Sequence, residues 1–344
     1  MPSACRFGRL AALAAALGLV PPTAQAQPLA DFYRGKTVSI VVSTGPGGGY
    51  DVMARAIARF IGKHLPGNPT VLVRNMPGAG GITAMNYLYN AAEKDGTVIG
   101  AVQNGTPFEP LFGTKEARYD APKFNWLGTP SFEVAMVLLW HRVPVNSIDE
   151  LRTRETNVGA SGAHSTPAFY GRVLNATLGT KMKLVSGYPG MTDGLLAMER
   201  GELDGYPSAF YSALTSTRPN WLRDKLAKAI VQYGPERLKE LRDVPFAADL
   251  LTSDDDKLLM QAAVAPLALG RPLVMPPGVA PARVAMMRKA LADTFADPAF
   301  MAEAEKIGLI VNAPQTGEQL QAVLARAYAT PARVVERLQK LNNP

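Results

Sequence analysis

Two glycine-rich stretches hold the residues best placed to do chemistry: "STGPGGGYD" at 43–51 and "NMPGAGG" at 75–81. Each follows a short apolar run and leads into a segment of helical periodicity. Glycine admits positive φ and lets a ligand approach the backbone with no Cβ in the way. A helix starting there adds unpaired N–H groups and a positive dipole end, so such a loop is suited to an anion. Neither loop has the Lys-Ser or Lys-Thr that a P-loop places after its glycines. The dinucleotide spacing G-x-G-x-x-G fails as well, because its third glycine falls on Tyr50, Val52 or Thr83. Neither loop contains Lys or Arg, which leaves amides and hydroxyls to hold the charge. That suits a carboxylate better than a polyphosphate. Tight turns with glycines for packing alone are the alternative.

Catalytic groupings are thin. "GASGA" at 159–163 comes close to the nucleophile elbow G-x-S-x-G around Ser161, but its last position is Ala163. The three histidines are His64, at a helix end, His141, beside an apolar run, and His164, close to Ser161 in sequence. A triad histidine normally comes from a separate segment. With one cysteine and no H-x-x-x-H spacing there is no zinc set. Asp51, Asp193, Asp204 and Glu133 are carboxylates that no spacing pairs. A non-enzyme without metal or cofactor is expected. The net charge of +7 is spread along the chain without a Lys/Arg run, and no nucleic-acid motif accompanies it. A basic balance also suits small anionic ligands.

The elements that must position the loops alternate. "TVSIVV" (37–42) reads as a strand buried on both faces, and 51–65 as a helix with Val52/Met53, Ala56/Ile57, Phe60/Ile61 and Leu65 on one face. Asp51, Arg55, Arg59 and Lys63 fall on the other. A strand at 70–73, a helix over about 80–93 and a strand at 97–102 follow, so a parallel sheet is expected. The middle repeats the pattern. Strands are expected at 156–161, at "MKLVSG", at "ELDGY" and at 226–234, with helices at 167–178 and "TDGLLAMERG". "EVAMVLLW" (133–140) belongs to the segment that joins the two units. Helices are expected at 281–294, 298–307 and 316–341. Residues 1–26, with Arg6 and Arg9 before "LAALAAALGLV" and a small-x-small ending, read as a secretory signal cleaved after Ala26. A buried N-terminal helix is the alternative. Cleavage would remove Cys5, and no later apolar run is long enough to span a membrane.

"GPGGGYDVMAR", "VRNMPGAGGITA", "KDGTVIGAVQNGT" and "GASGAHSTP" resemble the extracytoplasmic receptors of tripartite tricarboxylate transporters, the Bug-type solute-binding proteins. The likeness continues through "GELDG" and "PPGVAPARVAMMRKALADTFADPAFMAEAEKIGLI". It implies a two-lobed Venus-flytrap fold, with residues 27–130 and 257–344 in one lobe and 131–256 in the other. It also implies a periplasmic monomer that captures a small carboxylate for membrane permease subunits. Position by position, the first loop offers Thr44, Gly47, Gly48 and Gly49, the second Gly78, Ala79 and Gly80, and the third strand's end Asn104 and Thr106. From the other lobe, "SGAHST" offers Ser161, Gly162 and Ser165, with Tyr188 and Asp204 completing the set. The sequence departs from the family where an aromatic is common (Thr44 here), in lacking a lysine in "VSGYPG", and in being short after Asp204. Tyr188, Tyr206 and Phe210 are then candidates for the distal end of the ligand site or for ordinary lobe core. An exported serine hydrolase using Ser161, or a binding domain used for sensing, remains the other reading.

Overall fold

The computed structural model describes residues 32–343, apart from His164 and Pro189. The expected export segment lies outside the described residues. The chain opens with β1 (Thr37–Val42), α1 (Gly49–Ile61), β2 (Thr70–Asn75), α2 (Ile82–Asn90), β3 (Val98–Ala101) and β4 (Asn125–Thr129). β5 (Ala135–Trp140), α3 (Ile148–Thr153), β6 (Thr156–Ala160), α4 (Thr166–Leu178) and β7 (Met182–Ser186) follow. Then come α5 (Met191–Arg200), β8 (Gly205–Phe210), α6 (Tyr211–Thr217), β9 (Ala227–Tyr233) and α7 (Asp254–Leu269). The chain continues with β10 (Leu273–Met275), α8 (Pro281–Ala296), α9 (Pro298–Lys306), β11 (Gln315–Thr316), α10 (Gly317–Tyr328) and α11 (Ala332–Asn342).

These strands make two sheets, in the orders β11-β4-β10-β3-β1-β2 and β7-β6-β8-β5-β9. β1 runs parallel to β2 and β3, as the alternation of strand and helix requires. The first sheet is nevertheless mixed, because β10 pairs antiparallel with both β3 and β4. The joining run "AMVLLW" is the fully buried β5, antiparallel to β8 and β9 within the second sheet. β1 is buried on both faces: Val38, Ile40 and Val42 meet Met53, Ile57 and Ile61 of α1, while Val41 joins the core around Met85 and Leu88 of α2.

Two local expectations are corrected, and one helix is added to those expected. Of "ELDGY" only the last two residues are strand; β8 begins at Gly205 and runs through Pro207 to Phe210. The helix expected over 316–341 is two helices, since Pro331 has no N–H to continue the ladder and becomes the N-cap of α11. The 16-residue α7 carries no one-sided apolar stripe, because its second half is buried throughout, Pro266 included.

The sheets are joined at two adjacent crossings, around 130–134 and 269–272. Glu133 N–H donates to the Leu267 carbonyl at 2.9 Å, and Arg271 N–H to the Thr129 hydroxyl at 3.0 Å. Gly270 sits here at φ 58 and ψ −108, and a Cβ on it would lie 1.8 Å from the Ser131 carbonyl oxygen. Only glycine lets the crossings come this close.

Candidate functional site

Both glycine loops leave the C-terminal ends of neighbouring parallel strands, where open α/β sheets bind ligands. A knot of side chains around the buried Asp51 ties them together. Asp51, 2% exposed, accepts from Gly47 N–H at 2.8 Å, Arg55 Nε at 2.9 Å and Asn75 Nδ2 at 2.9 Å. Asn75 Nδ2 also reaches the Thr44 carbonyl at 3.0 Å, and Arg55 Nη2 reaches Asn75 Oδ1 at 3.1 Å. Asp51 is therefore not on a solvated helix face; it clamps the first loop to the end of β2. The Gly47 amide is used in that clamp.

The Arg55 guanidinium, against the effect of burial and with help from the Gly47 and Asn75 amides, pulls the Asp51 carboxyl down to about 2. A folded pKa below the unfolded value of about 3.9 stabilises the fold above that value and loses the contribution as pH falls toward 2. Acid should therefore loosen the clamp between about pH 5 and pH 2, at a cost on the order of 2 kcal/mol. Melting temperature followed across that window checks this. Asp51→Asn should flatten the acid slope and lower stability at neutral pH.

The second loop takes an unusual backbone path. Gly78, Ala79, Gly80 and Gly81 all have positive φ, at 139°, 45°, 61° and 96°. The run closes on itself, Gly81 N–H donating to the Gly78 carbonyl at 2.9 Å. Ala79 is a strained member, since a Cβ disfavours that region. A Cβ on Gly78 would come within 2.6 Å of the Thr83 hydroxyl, whereas one on Gly80 would meet nothing within 4 Å. Thr106 is buried and donates to the Gly80 carbonyl at 2.9 Å, so it props the loop from behind.

A cavity of 340 Å³ lies between the sheets and beside the crossings; of the first loop only Tyr50 lines it, and no residue of the second loop does. Its walls are Tyr50, Gln103, Asn104 and Glu109 from the first sheet's loops, with Thr166, Phe169, Tyr170 and Phe210 from the second sheet's side. Glu133 and Arg271 enter from the two crossings. Two helices start at this region, α1 at Gly48 and α4 at Ser165, and neither has a side-chain cap for its first N–H groups. The Arg271 guanidinium lies about where a Cβ on Gly49 would point, at 3.1 Å, and Nη1 reaches the Gly49 carbonyl at 3.4 Å. Tyr50 spans the cavity floor, accepting from Asn104 N–H at 3.0 Å with its hydroxyl 3.5 Å from the Gly270 carbonyl. Burial pushes that phenol up to about 12, so it stays a neutral hydrogen-bonding group. The buried Thr44 hydroxyl has no partner among the described residues.

No family model matches the chain. A UPF0065 protein of Bordetella bronchiseptica is 29% identical over 178 residues, covering 50% of this chain and 51% of the relative. One from Agrobacterium vitis is 29% identical over 194 residues, 54% of each chain. The chain thus spans about half the length of the curated relatives it matches. Among solved structures, a TctC solute-binding protein from Polaromonas superposes with a TM-score of 0.71 at 19% identity, over 90% of this chain and 99% of that one. The fold is that of a TctC-type solute-binding protein. MatC from Rhodopseudomonas palustris with bound malate (TM-score 0.59, 21% identity, 90% and 99% covered) shares it. So does an R. palustris protein with adipate (0.59, 18%, 90% and 97%). The resemblance read in the loops is borne out in the two-lobed fold and in the UPF0065 likeness.

Within the TctC-type fold the predicted residues separate into those near the cavity and those away from it. Asn104 lines the cavity, while Thr44, Gly48, Gly49 and Gly78–Gly80 stand at the first sheet's edge and are not among its lining residues. Ser161, Gly162 and Ser165 form the turn before α4; Ser161 is exposed, and the Ser165 hydroxyl donates to the Gly162 carbonyl at 2.7 Å. Phe210 lines the cavity, while Tyr188 packs at the end of β7 and does not. Tyr206 is core, 3% exposed and packed against Gly159 and Gly194. Asp204 lies at the wrong edge: its carboxylate accepts Asn157 N–H at 2.7 Å, at the N-terminal ends of β6 and β8. Strand direction puts that end away from the cavity.

Sequence reasoning missed Arg271 and Tyr50 as cavity groups. Tyr50 stood inside the quoted loop, and a lone arginine in "LGRPL" between two apolar runs was the signal for the other. The missing cation in the loops is supplied from a crossing more than two hundred residues away. A larger cavity of 780 Å³ lies along another face of α7, lined by Met260, Gln261, Val264, Gln319 and Val323. It holds none of the predicted residues and neither uncapped helix start, whereas the smaller one holds Asn104 and Phe210 and borders both starts, which makes it the candidate site.

Proposed function

We propose that the chain is an extracytoplasmic receptor that captures a small carboxylate between its two lobes and presents it to membrane permease subunits. Residues 27–130 and 257–344 make one lobe and 131–256 the other. The observation that carries this reading is one cavity between the sheets lined by Arg271, by Asn104 and by the first turns of two helices without side-chain caps, at Tyr50 and Thr166. All are positive or hydrogen-bond donating, as a carboxylate requires. The malate and adipate in proteins of the same fold support the choice of ligand class. Residues 1–26 act as the export signal and the mature protein works in the periplasm as a monomer. Among the described residues, no helix is long and apolar enough to cross a membrane. A binding domain used for sensing would share this site and differ only in its partner.

A receptor should show no turnover and should gain melting temperature with its ligand, scaling with ligand concentration over Kd. A thermal-shift screen over di- and tricarboxylates, aromatic acids and amino acids tests this. A hydrolase would need a histidine near Ser161. His64 is instead within 3.0 Å of Asp297, and His141 packs edge-on to Trp140 at 5.1 Å, while His164 lies outside the described residues. Ester turnover that disappears in Ser161→Ala would replace the receptor reading with an enzyme.

A further inference from the structure

The charges inside the cavity are unlike those expected for a polyanion. Among the described residues Arg271 makes one side-chain hydrogen bond, the 3.4 Å contact to the Gly49 carbonyl, which leaves most of its five donors without a partner there. Among the described residues the Glu133 carboxylate accepts only from the Ser212 hydroxyl, at 2.7 and 2.9 Å. Burial raises its pKa, with Ser212 and Arg271 opposing. Glu109, across the cavity, accepts from the Thr114 hydroxyl at 2.5 Å. Among the described residues no ion pair joins Arg271 to either carboxylate. A half-buried carboxylate without a contacting cation is costly, and a ligand bringing a positive group there offsets that cost. A tricarboxylate would bring three negative charges toward two carboxylates and one guanidinium. The same cavity is also lined by aromatic rings: Phe112 and Phe169, ring centroids 5.9 Å apart, and Phe210.

We propose that this cavity selects a carboxylate that also bears an ammonium group and an aromatic or apolar body. The ligand's carboxylate lies on Arg271 and the start of α1, its ammonium on Glu133, and its body against the phenylalanines. This rests on the receptor reading and assigns its ligand class, with Arg271 and Glu133 setting specificity.

Calorimetric titration of the full chain with L-phenylalanine, 3-phenylpropionate and tricarballylate tests it. The wild type should bind phenylalanine roughly 30-fold or more tighter than phenylpropionate, which lacks only the ammonium. Glu133→Gln, nearly isosteric, should erase that preference by weakening phenylalanine while leaving phenylpropionate within about threefold. Glu133→Asp should lower the preference part-way. Arg271→Gln should weaken both. An unchanged ratio in Glu133→Gln, equal weakening of both probes, or a best fit for tricarballylate overturns the assignment. If all three fail while malate or adipate binds, the assignment is wrong and the receptor reading stands. If no carboxylate binds at all, both fall.

Discussion

Gly48→Trp is expected to lower affinity for the carboxylate ligand by at least ~100-fold, about 2.8 kcal/mol, while leaving the melting temperature nearly unchanged. Gly48 has ordinary extended dihedrals, φ −77 and ψ 167, and a Cβ there has nothing nearer than the Gly45 carbonyl at 4.0 Å. The fold therefore has no steric reason to reject a side chain. The indole would instead project from the N-cap of α1, over the first-turn amides that a carboxylate needs. Most glycine replacements damage fold and function together, so this separation is informative. Affinity by calorimetry and stability by thermal melting, on the same preparation, check it. Wild-type affinity in Gly48→Trp would mean that the start of α1 does not hold the ligand.

The second large effect is on stability. Gly270→Ala should destabilise the protein by roughly 3–5 kcal/mol, lowering the melting temperature by roughly 10 °C. The new Cβ would lie 1.8 Å from the Ser131 carbonyl oxygen and 3.0 Å from the Thr129 hydroxyl, and both are backbone-anchored. Neither can give way without spreading the two crossings, which moves Arg271 as well. Gly308→Ala is the control: φ there is 67°, yet nothing lies within 4 Å of the added atom. It should cost only about 1 kcal/mol of backbone strain. Comparable losses in the two variants would show that close packing of the crossings contributes little.

The loops were legible because their signal is local. Glycine density between an apolar run and a helical pattern fixes a β-loop-α turn, and Asp51 and Asn75 were visible in the quoted stretches. What each polar group bonds was not legible. The Gly47 amide is used by Asp51, and Thr106 turns to the Gly80 carbonyl, because tertiary contacts complete both loops from behind. Asp204 was misplaced for a topological reason: residue type says nothing about which end of a strand faces the cavity. Arg271 depends on a crossing that brings residue 271 beside residue 49, and no periodicity records that approach. The α7 helix escaped notice because it is buried all round in its second half and carries an internal proline, so it lacks the one-sided stripe that marks surface helices.

The central claim is that the interlobe cavity holds a carboxylate through donated hydrogen bonds. The most direct measurement compares the best ligand of the thermal-shift screen with its carboxamide analogue, each titrated calorimetrically at neutral pH. A carboxamide keeps the shape and removes the charge. Saturable one-to-one binding of the acid, with the amide at least ~100-fold weaker, is the predicted result. Equal affinity for acid and amide, or no binding by any carboxylate, would contradict it.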